Sequence, residues 1–224
     1  MLITRLVYIF MPTAVIMAFC YAPAAAVLGE TSRLLYFHVP LACISVMAFA
    51  VSGVAAMLFL ADKKSRFTYM EDSFHNSASL GTLTAVLATA SGSVWAKRMW
   101  GSYWNWDPRQ TSIVLLLLVY GAYLGLRQAI EEPERRATLS AAYALVAFAT
   151  VPFLMFAVPR MYASLHPDTV INARGKVEMS PDIKLVFFTS MIAFTALFAW
   201  MYSLDLRATR LVRRLEERAG GFEA

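Results

Sequence analysis

An all-α integral membrane protein is the architecture to expect from this chain, and three features of its 224 residues say so. Hydrophobic residues make up 59% and charged residues only 16%, against about half and a quarter in soluble domains. The apolar residues gather into six runs, each near the roughly 20 residues that cross a hydrocarbon core as a helix. Lys and Arg collect between those runs, and the central parts of all six carry no Asp, Glu, Lys, Arg or His.

Each run has its own rationale. The first, 6–27, follows Arg5 and contains Pro12. The "APAAA" at its end looks like a signal-peptide cleavage site, but the run is too long for the apolar core of one, so a retained span is expected. The second, 40–61, opens on Pro40, a residue suited to the first turn of a helix. The third, 77–96, is the least apolar. Its Ser77, Gly81, Ala85, Thr89 and Ser93 recur every four residues as one small-residue stripe, which predicts a central, protein-facing helix. The fourth, 111–126, is short and has Thr111 as a candidate N-cap. The fifth, 138–158, follows the solvated stretch "EEPERR". The sixth, 185–206, leads into an Arg/Glu tail at 207–224. A single membrane domain follows.

Charge placement orients it. One side receives twelve of the 20 Lys and Arg residues and the other eight, so the positive-inside rule places both termini in the cytoplasm. Segments 28–39, 97–110 and 159–184 then face outward. The net charge of +5 needs no nucleic acid, because topology signals and anionic lipid contacts account for it. Cys20 and Cys43 stand alone in apolar runs, which excludes a disulfide framework, a C-x-x-C thiol pair and C-x-x-C-H haem attachment. No G-x-x-x-x-G-K-[ST] is present, so ATP hydrolysis is not expected of this chain.

The second outer segment reads "WGSYWNWDPRQT". Trp100, Tyr103, Trp104 and Trp106 fall within seven positions, Asp107 follows, and Lys97, Arg98 and Arg109 flank them. An interfacial belt explains any one ring. Four rings with a turn-permitting Gly101 and an acid exceed what a belt requires. The set suits a platform for a flat ligand with anionic edges, since rings stack on it and guanidinium groups pair with its carboxylates. Haem has that shape. Asp107 is expected to position Arg109 or an indole N–H, or to meet the dipole of the next helix.

Two of the three histidines share this side. His38 lies in "YFHVP" at the expected start of the second helix, where the dipole favours a neutral, metal-binding ring. His166 lies in "SLHPD", between turn formers. Singly, each reads as a polar interfacial side chain. Together they suit haem iron, which takes axial ligands on opposite faces. His75 falls at the cytoplasmic end and is expected to be structural.

"WGSYWNWDPRQT" resembles the tryptophan-rich WWD signature of the cytochrome c assembly family. With "YFHVP" before helix two and "SLHPD" between helices five and six, the chain most resembles that family's haem exporter protein C branch in the Ccm-type maturation pathway. The resemblance spans roughly residues 30–206. It implies periplasmic loops of an inner-membrane protein that bind haem b non-covalently and transiently, then pass it to a membrane-anchored periplasmic haem chaperone for cytochrome c maturation. By motif, His38 and His166 would be axial ligands, Trp100, Gly101, Trp104, Trp106 and Asp107 the platform, and Arg109 the motif's basic residue. Tyr103 stands where many relatives have another aromatic. The resemblance also implies a small membrane subunit and an ABC-type ATPase/permease complex as partners, and no enzymatic chemistry of the chain's own. Two other readings stay open: a subunit of a quinone or electron-transfer complex with a bis-histidine haem, and a haem transporter, for which mid-membrane charges would normally be expected.

Overall fold

The computed structural model describes residues 2–25, 28–61, 67–166 and 179–220, and among them it is helical without a strand. Helix α1 (Leu2–Ile16) closes in a π turn, Met17–Tyr21. A 3₁₀ turn, Glu30–Leu34, feeds α2 (Leu35–Ala61). Then come α3 (Phe67–Trp100), α4 (Pro108–Ala129), α5 (Pro133–Pro152) with a π turn over Phe153–Ala157, the short α6 (Val158–Met161) and α7 (Pro181–Gly220). Five stretches are long and apolar enough to cross a membrane: Leu2–Tyr21, Glu30–Ala61, Pro108–Ala129, Pro133–Met161 and Pro181–Leu215. Helix α3, 34 residues long and carrying Glu71, Asp72, His75 and Asn76 in its first third, is not among them. The architecture is that of a helical integral membrane protein. Lys63, Lys64, Arg66, Arg174 and Lys176, used in the charge argument, lie outside the described residues, as do Pro167 and Asp168 of "SLHPD".

The polarity of α3 follows from its place between other helices. Its apolar face packs on α2, where a Cβ on Gly81 would sit 2.7 Å from the Phe49 ring. Ser77 donates to the Ala48 carbonyl at 2.7 Å, and Ser52 of α2 donates to the Phe74 carbonyl at 2.8 Å. Toward α4 it presents Glu71, paired with Arg127 at 2.8 Å. Toward α7 it presents Asp72, paired with Arg213 at 2.6 Å, and Asn76, which donates to Thr209 at 3.3 Å. Buried charges need such partners, so a helix sandwiched in this way cannot be uniformly apolar.

The i+4 stripe holds for one stretch and then drifts. Ser77, Gly81 and Ala85 are buried, but the buried row continues through Ala88 rather than Thr89. Each four-residue step overshoots a 3.6-residue turn by 40°, so the contact line must take a three-residue step to stay on α2. Corrected in this way, the row is Gly81, Ala85, Ala88, Gly92, Trp95.

Helix starts also differ from the sequence expectation. Helix α2 begins at Leu35, so Pro40 lies inside it rather than at its start. The preceding 3₁₀ turn supplies the nucleus, braced by Arg33, which pairs with Glu30 and donates to the carbonyls of Ala18, Phe19 and Ala22. Helix α4 begins at Pro108 with Asp107 as N-cap, three residues before Thr111. Helix α5 begins at Pro133 inside "EEPERR", because the Glu132 side chain accepts the N–H groups of Glu134 and Arg135.

Candidate functional site

The aromatic segment is part helix and part turn. Helix α3 continues through Lys97, Arg98 and Trp100, so the loop expected at 97–110 is reduced to 101–107. Gly101 takes φ +79° and terminates the helix, its N–H reaching the Lys97 carbonyl at 3.2 Å. Only glycine adopts that conformation without cost, as the residue after a helix commonly must. The Lys97 ammonium returns to the Gly101 carbonyl at 2.8 Å and lies 5.6 Å from the Tyr103 ring centroid. Arg98 is exposed.

Two residues bend the loop back into α4. Asn105 donates its N–H to the Gln110 side chain at 2.8 Å, and Trp106 takes φ +55°. That left-handed conformation is an outlier for a bulky residue and costs on the order of 1–2 kcal/mol. It leaves the Trp106 ring 72% exposed, T-shaped against Trp104 at 5.8 Å. Strain of this kind persists only where neighbouring contacts over-determine the backbone.

Asp107 supplies those contacts. Its carboxylate is buried and accepts from the Arg109 N–H at 3.0 Å, from the Ser164 hydroxyl at 2.9 and 3.0 Å, and from the Leu165 N–H at 2.7 Å. Ser164 also accepts the His166 N–H at 3.1 Å. Asp107 is thus an N-cap that ties the tryptophan turn to the segment bearing His166. Of the roles expected for Asp107, its contacts give the one at the start of the next helix.

His38 and His166 come together. Their ring centroids are 6.4 Å apart with 37° between the planes. Two imidazoles bound on opposite faces of one metal, with bonds of about 2 Å each, place their centroids roughly 6 Å apart. His38 Nδ1 lies 2.9 Å from the Ala88 carbonyl and 3.2 Å from the Ser91 hydroxyl. A carbonyl can only accept, so Nδ1 carries the proton and Nε2 keeps the lone pair that binds metal. The backbone of α3 sets this tautomer, rather than a helix start.

His166 is held differently. Arg109 approaches its Nδ1 at 3.2 Å. A guanidinium only donates, so this contact keeps the Nδ1 lone pair occupied and the neutral ring's proton on Nε2. For Nε2 to bind metal, Arg109 must release Nδ1. The ring rests on Trp95 at 5.6 Å, and Trp100 approaches both, at 5.1 Å from Trp95 and 6.4 Å from His166.

The site therefore joins His38, His166, Trp100, Asp107 and Arg109 of the expected set. It adds Ser164 and Trp95, which sequence reading assigned to a loop and to the helix interior. Trp95 is only 4% exposed. It was readable, since Ala88, Gly92 and Trp95 follow at i, i+4 and i+7 once the small-residue row is given its 3.6-residue period. His75 is remote from this site and is approached by the Tyr123 hydroxyl at 3.4 Å.

Gly92 gives a direct check on the His38 position. A Cβ there would lie 2.8 Å from His38 Cε1 and 3.2 Å from Nδ1. Gly92→Ala is expected to push the imidazole off the Ala88 carbonyl. Losing such an outer hydrogen bond costs roughly 10- to 100-fold in metal affinity. An optical titration with haemin reads this, and an unaltered affinity would contradict the tautomer argument.

Comparison with known proteins gives consistent matches over most of the chain. A family model described as Heme exporter protein C matches residues 1–220. A Bradyrhizobium diazoefficiens protein named Heme exporter protein C is 29% identical over 187 residues, covering 84% of this chain and 70% of its own length. The Rhodobacter capsulatus protein of the same name is 27% identical over 198 residues, covering 88% and 81%. The Escherichia coli K12 protein of that name is 27% identical over 203 residues, covering 91% and 79%.

Proposed function

Because this chain belongs to the Heme exporter protein C family, we propose that it binds haem b on the periplasmic face of a bacterial inner membrane and delivers it to a membrane-anchored haem chaperone for c-type cytochrome maturation. Both termini are cytoplasmic in this reading, and α3 is a sixth span beside the five apolar ones. The observation that carries the proposal is the pair of imidazoles 6.4 Å apart beside a tryptophan cluster. Haem is cargo here, held without a covalent bond. The chain works beside a small membrane subunit and an ABC-type ATPase/permease, and needs no bond-making chemistry of its own.

The two histidines divide the work. His38 is already in the metal-ready tautomer and is the standing axial ligand. His166 becomes a ligand when a haem propionate draws Arg109 away from Nδ1, since the ring proton then moves from Nε2 to Nδ1. Return of Arg109 favours release. A carrier that must let go is served by one firm and one displaceable bond. Trp95 and Trp100 support the His166 ring, while Tyr103, Trp104, Trp106, Arg98 and Arg109 line the approach for the macrocycle and its carboxylates. The electron-transfer and transporter readings draw less support, because His38 and His166 meet each other beside the Ala88–Trp100 part of α3 instead of forming a relay along the bundle.

The decisive experiment loads the detergent-purified full chain with haemin and mixes it with a soluble haem-accepting periplasmic chaperone domain. Haem absorption is expected to move from the membrane protein to the acceptor within one mixing experiment. Haem that stays put, or that cycles with a quinol without moving, would refute delivery.

A further inference from the structure

At its C-terminal end α7 carries a side-chain row that no other described helix covers. Forty residues at 1.5 Å each make a helix of about 60 Å, twice a hydrocarbon core of roughly 30 Å. The excess lies at the charged end, beyond Asp205. From Tyr202 onward the helix shows two faces. Tyr202, Thr209 and Arg213 reach Ser73, Asn76 and Asp72 of α3. On the opposite face Leu204, Ala208, Leu211 and Leu215 follow at steps of 4, 3 and 4 residues, and the three leucines are 43%, 58% and 56% exposed. Alternating steps of that kind are the apolar seam of a helix that pairs with another helix. Arg207 and Arg214 stand exposed along one flank of the seam, and exposed Arg218 is its next position.

We propose that this end of α7 is a docking seam for an amphipathic helix of a partner protein whose flanks are acidic. Its cytoplasmic side rests on the topology proposed above; the seam itself does not depend on haem. The charges choose the occupant. Copies of this chain insert in the same direction, so a two-fold pairing would be parallel and would set Arg218 against its own copy across the seam. A partner with Asp or Glu opposite Arg207, Arg214 and Arg218 removes that repulsion and gains ion pairs at the rim. The inner-leaflet surface is the lesser candidate: α7 is continuous, so the leucines rise away from the bilayer instead of lying along it.

The probe is a synthetic heptad peptide with leucine at the seam and glutamate at the flanks, against its lysine-flanked twin. Fluorescence anisotropy follows both with the full chain in nanodiscs of zwitterionic lipid. The glutamate peptide is expected to bind. Leu211→Asp with Leu215→Asp should weaken it by about tenfold or more, the loss typical of central interface residues, as should Arg207→Glu with Arg214→Glu. The lysine peptide should not bind. Equal binding of the two peptides, or binding indifferent to Leu211 and Leu215, overturns the proposal. So does a Leu211-dependent pairing of two chains in one disc, or a spin label at position 215 reached by a lipid-soluble relaxation agent and not by a water-soluble one. Haemin titration in the same discs should give wild-type affinity for both seam variants; a wild-type chain that binds no haemin at all would strike the haem reading and leave the seam standing.

Discussion

His38→Ala is expected to abolish haem binding, and His166→Ala to leave a weaker, five-coordinate complex. The inequality comes from the hydrogen bonds at each ring. His38 Nδ1 faces the Ala88 carbonyl at 2.9 Å, which leaves Nε2 basic before any ligand arrives. His166 must first exchange its Arg109 contact at 3.2 Å. Losing an outer hydrogen bond of a metal ligand costs roughly 10- to 100-fold, and losing the ligand itself costs more. Soret position and haem stoichiometry of the purified variants read the outcome. Added imidazole should restore the His166→Ala spectrum toward the six-coordinate form. Identical spectra and stoichiometries in both variants and wild type would remove the ligand assignment. A larger loss in His166→Ala than in His38→Ala would reverse the proposed division of labour.

Asp107→Asn is expected to lower haem affinity by about tenfold or more while the helices remain. The carboxylate accepts from two backbone N–H groups, Arg109 and Leu165, and from the Ser164 hydroxyl. An amide keeps one oxygen and offers an NH₂ that cannot accept. One buried N–H is then left unsatisfied, at roughly 1–3 kcal/mol, more where the lost acceptor is charged. The strain lands where the tryptophan turn meets the His166 segment. Ser164→Ala leaves Asp107 its two backbone partners but removes the acceptor of the His166 N–H, so a loss of about 1–3 kcal/mol is expected, centred on the His166 segment. Helical content by circular dichroism should match wild type in both. An Asp107→Asn protein with full haem affinity, or one that loses its helices, would defeat the view of Asp107 as the tie between the two segments.

Composition and spacing were enough for the class of molecule. Long apolar runs in a chain with few charges have one stable answer in a bilayer, because every backbone N–H and C=O must be satisfied within the helix. The same logic singled out 77–96 as the helix that faces protein, from its small residues. It also drew attention to two histidines and a tryptophan turn whose density exceeds interfacial need.

Partnerships between distant residues had to come from packing in three dimensions. Asp107, 57 residues from Ser164, accepts the hydroxyl that orders the His166 segment, and no local pattern announces so distant an acceptor. His38 takes its tautomer from a carbonyl 50 residues away on α3, where sequence position suggested a helix dipole. The 3.6-residue period puts Trp95 on the row that faces α2, but the contact of its ring with His166 comes only from the fold. Periodicity is a property of one segment and is written along the chain. Which proton a ring carries depends on what another segment places beside it, and that is settled when the helices pack.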